Sequence, residues 1–121
     1  MANGGGFGEL VVAAIGAGPD NSSLALDHGT LISNAAQGGA GGSGGDGGNG
    51  LGGGGSNEPA STLTLKHALV TLNQADGGPG TDGGADGQGV GGGASSLGAL
   101  DLVMTEIALN QASTSNNDIF P

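Results

Sequence analysis

Residues 62–78 read TLTLKHALVTLNQADGG, and the same arrangement of residues occurs twice more. Residues 23–39 read SLALDHGTLISNAAQGG, and residues 99–115 read ALDLVMTEIALNQASTS. Placed under one another, Leu24, Leu63 and Leu100 align. So do Leu26, Leu65 and Leu102; Leu31, Val70 and Ile107; Asn34, Asn73 and Asn110; and Ala36, Ala75 and Ala112. The offsets are 39 and 37 residues. A GGG triplet at residues 4–6, 52–54 and 91–93 accompanies the copies, and the last two are preceded by GNGL and GQGV.

Apolar residues in these stretches alternate. Leu63 and Leu65 are flanked by Thr62, Thr64 and Lys66, and Val70 and Leu72 enclose Thr71. A period of two with one apolar side is the pattern of a strand that buries one face. Each run is short, and Gly and Asn punctuate them. One such strand cannot bury its face alone, but stacked copies cover one another. From GGG to Asn-x-Ala the unit spans about 22 residues, enough for three short strands and their turns. The chain is therefore expected to be all-β, a short parallel β-helix of about three coils. The aligned asparagines would stack at one turn, where Asn tolerates the left-handed conformation and its amides can bond along a column.

The expected division is one β-solenoid domain over residues 1–121, with coils at about 4–36, 52–75 and 91–112. Gly-rich inserts occupy 37–51 and 76–90, and a C-terminal cap occupies 113–121. In that cap Ile119 and Phe120 are expected to fold back over the last coil, since an open solenoid end exposes strand edges. The first insert contains GGAGGSGGDGGNG at residues 38–50, with its counterpart GGPGTDGGADGQG at 77–89. We read both inserts as flexible loops leaving the same corner of successive coils. The alternative is an ordered polyproline-II-like arrangement, three residues per turn, with Ala40, Ser43, Asp46 and Asn49 along one edge.

Composition excludes several functions. Leu, Ile, Val and Phe number 24 of 121 residues, so the core is thin, and 31 glycines and a net charge of -10 accompany it. With no cysteine, neither disulfides nor thiolate metal sites can form. One Lys and no Arg cannot neutralise a run of phosphates, so nucleic-acid binding is not expected. No apolar run approaches the length of a membrane span, and no membrane insertion is expected.

The segments TLTLKHALVTLNQADGG, GQGVGGG and NQASTSNNDIFP resemble the right-handed parallel β-helix repeat proteins of bacterial surfaces, in which coils read roughly GGG-[IV]-x-N…TLTLxxSxVxxNxA with Gly-rich inserts. That resemblance implies a right-handed helix in an adhesin-like or autotransporter-passenger-like protein, secreted or at the cell surface. It also suggests the C-terminal coils of a longer array. The GGX run alone resembles the glycine-rich regions of mycobacterial PE-type surface proteins.

The functional expectation is a non-enzymatic structural or adhesion-type module, outside the cell, with self-stacking through open solenoid ends or Gly-rich inserts as its mode of association. One alternative is a calcium-stabilised extracellular binding module. GGSGGD (41–46) and GGPGTD (77–82) match the start of the G-G-x-G-x-D-x-U-x roll repeat, which makes Asp46, Asp82 and Asp86 candidate calcium ligands. Against it, the apolar U position is glycine in both copies, and the copies lie 36 residues apart. The other alternative is a fragment of a polysaccharide-active β-helix enzyme. Its carboxylates, Glu9, Asp27, Glu58, Asp101 and Glu106, are single and unpaired, and Lys66 is the only strong base. No catalytic residue and no cofactor is therefore expected. His28 and His67 align at offset 39, and Met104 holds the third position. We read them as a stacked polar column at a turn, against the alternative of metal ligands.

Overall fold

The structure, a computed structural model, describes residues 15–17 and 22–121. Every regular element among the described residues is a strand. The first rung is β1 (Ile15–Ala17), β2 (Ser23–Asp27), β3 (Thr30–Ile32) and β4 (Ala35–Gln37). The second is β5 (Gly50–Leu51), β6 (Gly55–Asn57), β7 (Thr62–Lys66), β8 (Leu69–Thr71) and β9 (Gln74–Asp76). The third is β10 (Gly89–Val90), β11 (Ala94–Ser96), β12 (Ala99–Val103), β13 (Glu106–Ala108) and β14 (Gln111–Ala112), followed by β15 (Ile119–Phe120).

Strands close in sequence do not pair. Each one pairs with its counterpart one rung away, in ladders β2-β7-β12, β3-β8-β13, β4-β9-β14, β5-β10 and β1-β6-β11-β15. All of these pairings are parallel. The result is an all-β, solenoid-like stack of parallel sheets. Its register is that of the repeat: Leu24↔Leu63↔Leu100, Leu26↔Leu65↔Leu102 and Leu31↔Val70↔Ile107. Leu63, Leu65 and Val70 of the middle rung are fully buried, as is Leu31. On the last rung Leu100 and Ile107 are only partly buried and Leu102 is 38% exposed, and among the described residues no strand pairs with β12 or β13 on the far side.

The asparagine column runs through this core edge. Asn34 donates from its backbone N–H and from Nδ2 to Asn73 Oδ1, both at 2.9 Å, and Asn73 does the same to Asn110 Oδ1 at 2.9 Å. Asp118 Oδ1 then accepts from Asn110 N and Nδ2, at 3.2 and 3.0 Å, and ends the ladder. Each Asn follows a residue with a left-handed backbone: Ser33, Leu72 and Leu109. A second buried column is built on Asn57, which donates to Ser96 Oγ at 3.0 Å and accepts from Ser61 Oγ at 2.8 Å.

The expectation for the inserts changes. The inserts are ordered rather than flexible. They leave between β4 and β5 and between β9 and β10, and each folds into an outgoing and a returning arm. Within each insert the arms bond through Gly45 N–H to Gly42 O and Gly48 N–H to Gly39 O, and equivalently through Gly84 to Thr81 and Gly87 to Gly78. Between inserts, Gly38, Gly41, Gly47 and Gly50 donate to the carbonyls of Asp76, Pro79, Ala85 and Gln88. Gly78 and Thr81 donate back to Gly48 and Gly45. Donors recurring every third residue give the period of polyproline II. The arms approach so closely that glycine is obligatory where they touch. A Cβ on Gly47 would lie 1.9 Å from Gly78 O.

The tail folds back onto the last coil, as expected, and does so as a strand. β15 pairs in parallel with β11, Ala94↔Ile119 and Ser95↔Phe120, so Ile119 and Phe120 cover the edge of the last rung as a further strand of that ladder. The physical reason is the short link at 113–118, which stands where the earlier coils carry a Gly-rich arm and lets the chain return directly to the same ladder. Residues 4–6 of the first expected coil, and Glu9, lie outside the described residues.

Candidate functional site

Between β2 and β3, and between β7 and β8, the chain turns through one residue of left-handed backbone, His28 (φ 56°) and His67 (φ 48°). Met104 (φ 47°) does the same between β12 and β13. A sharp outward bend at the end of a five-residue strand requires this conformation, and His is among the non-glycine residues that adopt it. The bend aims each side chain outward. Parallel strands lie roughly 4.8 Å apart, so equivalent outward rings on successive rungs come into stacking distance. The imidazoles of His28 and His67 do stack, with centroids 4.5 Å apart and planes 16° from parallel. Met104, on the third rung, is 81% exposed.

Asp27, the last residue of β2, lies beside both rings. Its Oδ1 is 2.7 Å from His28 Nδ1 and 3.3 Å from His67 Nδ1. The hydrogen bond with His67, and then the charges of His28, Lys66 and His67, hold the Asp27 carboxyl below the usual aspartate range, with desolvation opposing. Lys66 is the register partner of Asp27 on β7. Alongside runs a groove of about 440 Å³ lined by His28, His67, Leu69, Met104 and Glu106 among others. Among the described residues, Asp27, His28 and His67 are the one group of three or more His, Asp or Glu whose ligand atoms all lie within 4.8 Å of one another.

The expected calcium ligands stand elsewhere and apart. Asp46 Oδ1 accepts from Ala85 N–H at 2.8 Å, Asp86 Oδ1 from Gly80 N–H at 2.8 Å, and Asp82 Oδ2 from Ser43 Oγ at 2.9 Å. Each carboxylate is bound to a different part of the paired arms, and the three do not form one donor group. Asp46 and Asn49 do share an edge, as the period of three requires. That edge faces the second insert, where Asn49 Oδ1 accepts from Gln88 N–H at 2.8 Å.

The histidine column is legible in the sequence; the part played by Asp27 is not read from it. The available signal is the Asp-His pair at 27–28 against a second His one repeat later, since a residue next to an outward turn shares its surface with the rung above. The fold and this column define an all-β repeat protein with an exposed imidazole–carboxylate cluster. No family model, no curated protein and no solved structure matches the chain. No helix among the described residues is long and apolar enough to cross a membrane.

Proposed function

We propose that the chain is a non-enzymatic structural module, a right-handed parallel β-helix of the kind found in secreted and cell-surface bacterial proteins. The observation that carries this reading is how the repeated polar side chains are used. Asn34, Asn73 and Asn110 bond rung to rung, Asn57 and Ser96 do the same, and Asp46, Asn49 and Asp86 accept backbone N–H groups of the arms. Among the described residues no buried side-chain nitrogen or oxygen lacks a partner. A chain whose repeated polar groups hold its own coils together is suited to rigidity and length. Strong negative charge keeps such a surface soluble.

The test is far-UV circular dichroism with calcium and with a chelator, together with incubation of the purified chain with pectin and alginate. The reading expects the same β spectrum in both conditions and no unsaturated sugar product. A coil spectrum that becomes β only with calcium, or release of unsaturated product, overturns it. Antibody labelling of intact producing cells tests the surface location.

A further inference from the structure

We propose that Asp27, His28 and His67 form a surface site for a divalent first-row transition cation such as Zn²⁺ or Cu²⁺. This goes beyond the structural role, for which neither imidazole is needed. Two observations carry it. Both Nδ1 atoms converge on one oxygen, Asp27 Oδ1, at 2.7 and 3.3 Å. The three donor atoms lie within 4.8 Å of one another on a rigid frame, the ends of β2 and β7, which are paired in register.

The chemistry of the donors selects the ion. Imidazole nitrogen suits Zn, Cu and Ni, whereas calcium and magnesium take oxygen. Metal–ligand bonds of about 2.0–2.2 Å place two ligands of one ion about 3–4 Å apart; Asp27 Oδ1 stands 3.3 Å from His67 Nδ1 and 2.7 Å from His28 Nδ1, so only the His28 pair must open slightly to admit an ion. The rings stack nearly parallel, so an ion is reached when they rotate about their side-chain torsions and fan their Nδ1 lone pairs to one point. Exposure of 63% for His28 and 37% for His67 leaves room for that rotation. In the bound form each neutral ring gives its Nδ1 lone pair to the ion and carries its single proton on Nε2; a ring whose proton lies on Nδ1 first changes tautomer by exchange with solvent. The Asp27 carboxylate is ionised and brings a negative charge. Lys66 beside it opposes the ion, and Glu106 on the same groove favours it. The remaining coordination positions face water in the groove, so the site is open in the manner of exchangeable or partner-bridging ions rather than closed structural ones.

The experiment titrates ZnCl₂ into the full chain by isothermal calorimetry and records the electron paramagnetic resonance of the Cu²⁺ form. His28→Asn and His67→Asn are the test variants, since Asn tolerates the left-handed turn. We expect one high-affinity ion per chain and hyperfine splitting from two nitrogens. Each variant should weaken binding by at least the roughly 10–100-fold that loss of even an outer partner costs. Circular dichroism checks that each variant keeps its fold. If one unfolds, the nitrogen splitting of the unmodified chain decides alone. Binding of equal strength in both variants, a Cu²⁺ signal with oxygen ligands only, or no tight binding overturns the proposal.

Discussion

Asn73 is the residue on which the core's polar column depends. It is 1% exposed, accepts from Asn34 N and Nδ2, and donates through Nδ2 to Leu31 O and Asn110 Oδ1. Asn73→Ala strands several of these groups where water does not reach, at about 1–3 kcal/mol for each buried group left unpaired. Chemical denaturation should therefore show a loss of several kcal/mol for Asn73→Ala, against about 1 kcal/mol for Asp118→Ala at the end of the column, where the freed amide meets solvent more readily. Equal losses would mean that the column carries no cumulative strain of desolvation. The column was legible because Asn recurs at offsets of 39 and 37, which is all a stacking argument needs. Asp118 was not, since it lies eight residues beyond Asn110, out of step with the repeat, and reaches it only through the short link. Asp27 supplies a second prediction at this scale. Its carboxyl is held below the ordinary value of 3.8, first by the His67 hydrogen bond. A depressed folded value contributes stability that is present above the unfolded value and lost as pH falls through the folded one. A nuclear magnetic resonance titration should place the Asp27 midpoint below 3.8, and Asp27→Asn should remove this part of the acid sensitivity. A midpoint at or above that value contradicts the shared hydrogen bond.

At the scale of the element, the Gly-rich arms differ most from a sequence-based expectation. GGX triplets announce a period of three, yet the same composition suits a solvated loop. Deciding between them needs the second insert laid against the first, and neither insert alone contains that information. Once the four arms are together, the glycines divide into two kinds. Gly38, Gly47, Gly78 and Gly87 each have a neighbouring backbone carbonyl within about 2 Å of where a Cβ would be, while Gly39 and Gly42 face open space. Ala at Gly47 must push two arms apart, so we expect a loss of about 1–3 kcal/mol, the usual range for overpacking. Ala at Gly42 meets nothing and restricts the unfolded chain, so it should be neutral or stabilising by up to about 1 kcal/mol. Gly44, at a φ of +71°, also faces open space but would be strained by a side chain through its backbone alone. Thermal unfolding of the three variants distinguishes the cases. If Gly47→Ala and Gly42→Ala behave alike, the arms do not pack as a unit.

For the whole molecule, the governing fact is that each rung is stabilised by its neighbours, as in other stacked repeats. The middle rung has a partner on both sides. Among the described residues, β12, β13 and β14 have one only on the side of β7, β8 and β9. The same leucine in the repeat differs from rung to rung: Leu26 is 4% exposed, Leu65 1% and Leu102 38%. The period-two pattern predicts that Leu65 and Leu102 both face inward, and they do share one register, but it cannot predict burial at the end of a stack, because burial there depends on what lies beyond the repeat. The tail makes the same point, since β15 covers the edge of β11 and Ser115 bridges to Val90 of β10, while among the described residues β12, β13 and β14 have no further strand beyond them. Leu65→Asp places a carboxylate in the middle of the apolar stack, at a cost of several kcal/mol, which a domain of ordinary stability of about 5–15 kcal/mol does not readily absorb. Leu102→Asp leaves the charge at the rim and should cost about 1 kcal/mol, within the common range for single substitutions. The fold is expected to be lost in the first variant, with collapse of the β spectrum at room temperature, and retained in the second with a slightly lower midpoint. Amide exchange on the unmodified chain should follow the same gradient, slowest in β7 and β8 and faster in β12 to β14, where opening exposes least. A uniform exchange profile, or a Leu102→Asp variant that unfolds as completely as Leu65→Asp, would show that the stack behaves as one indivisible core and not as a column of coupled rungs.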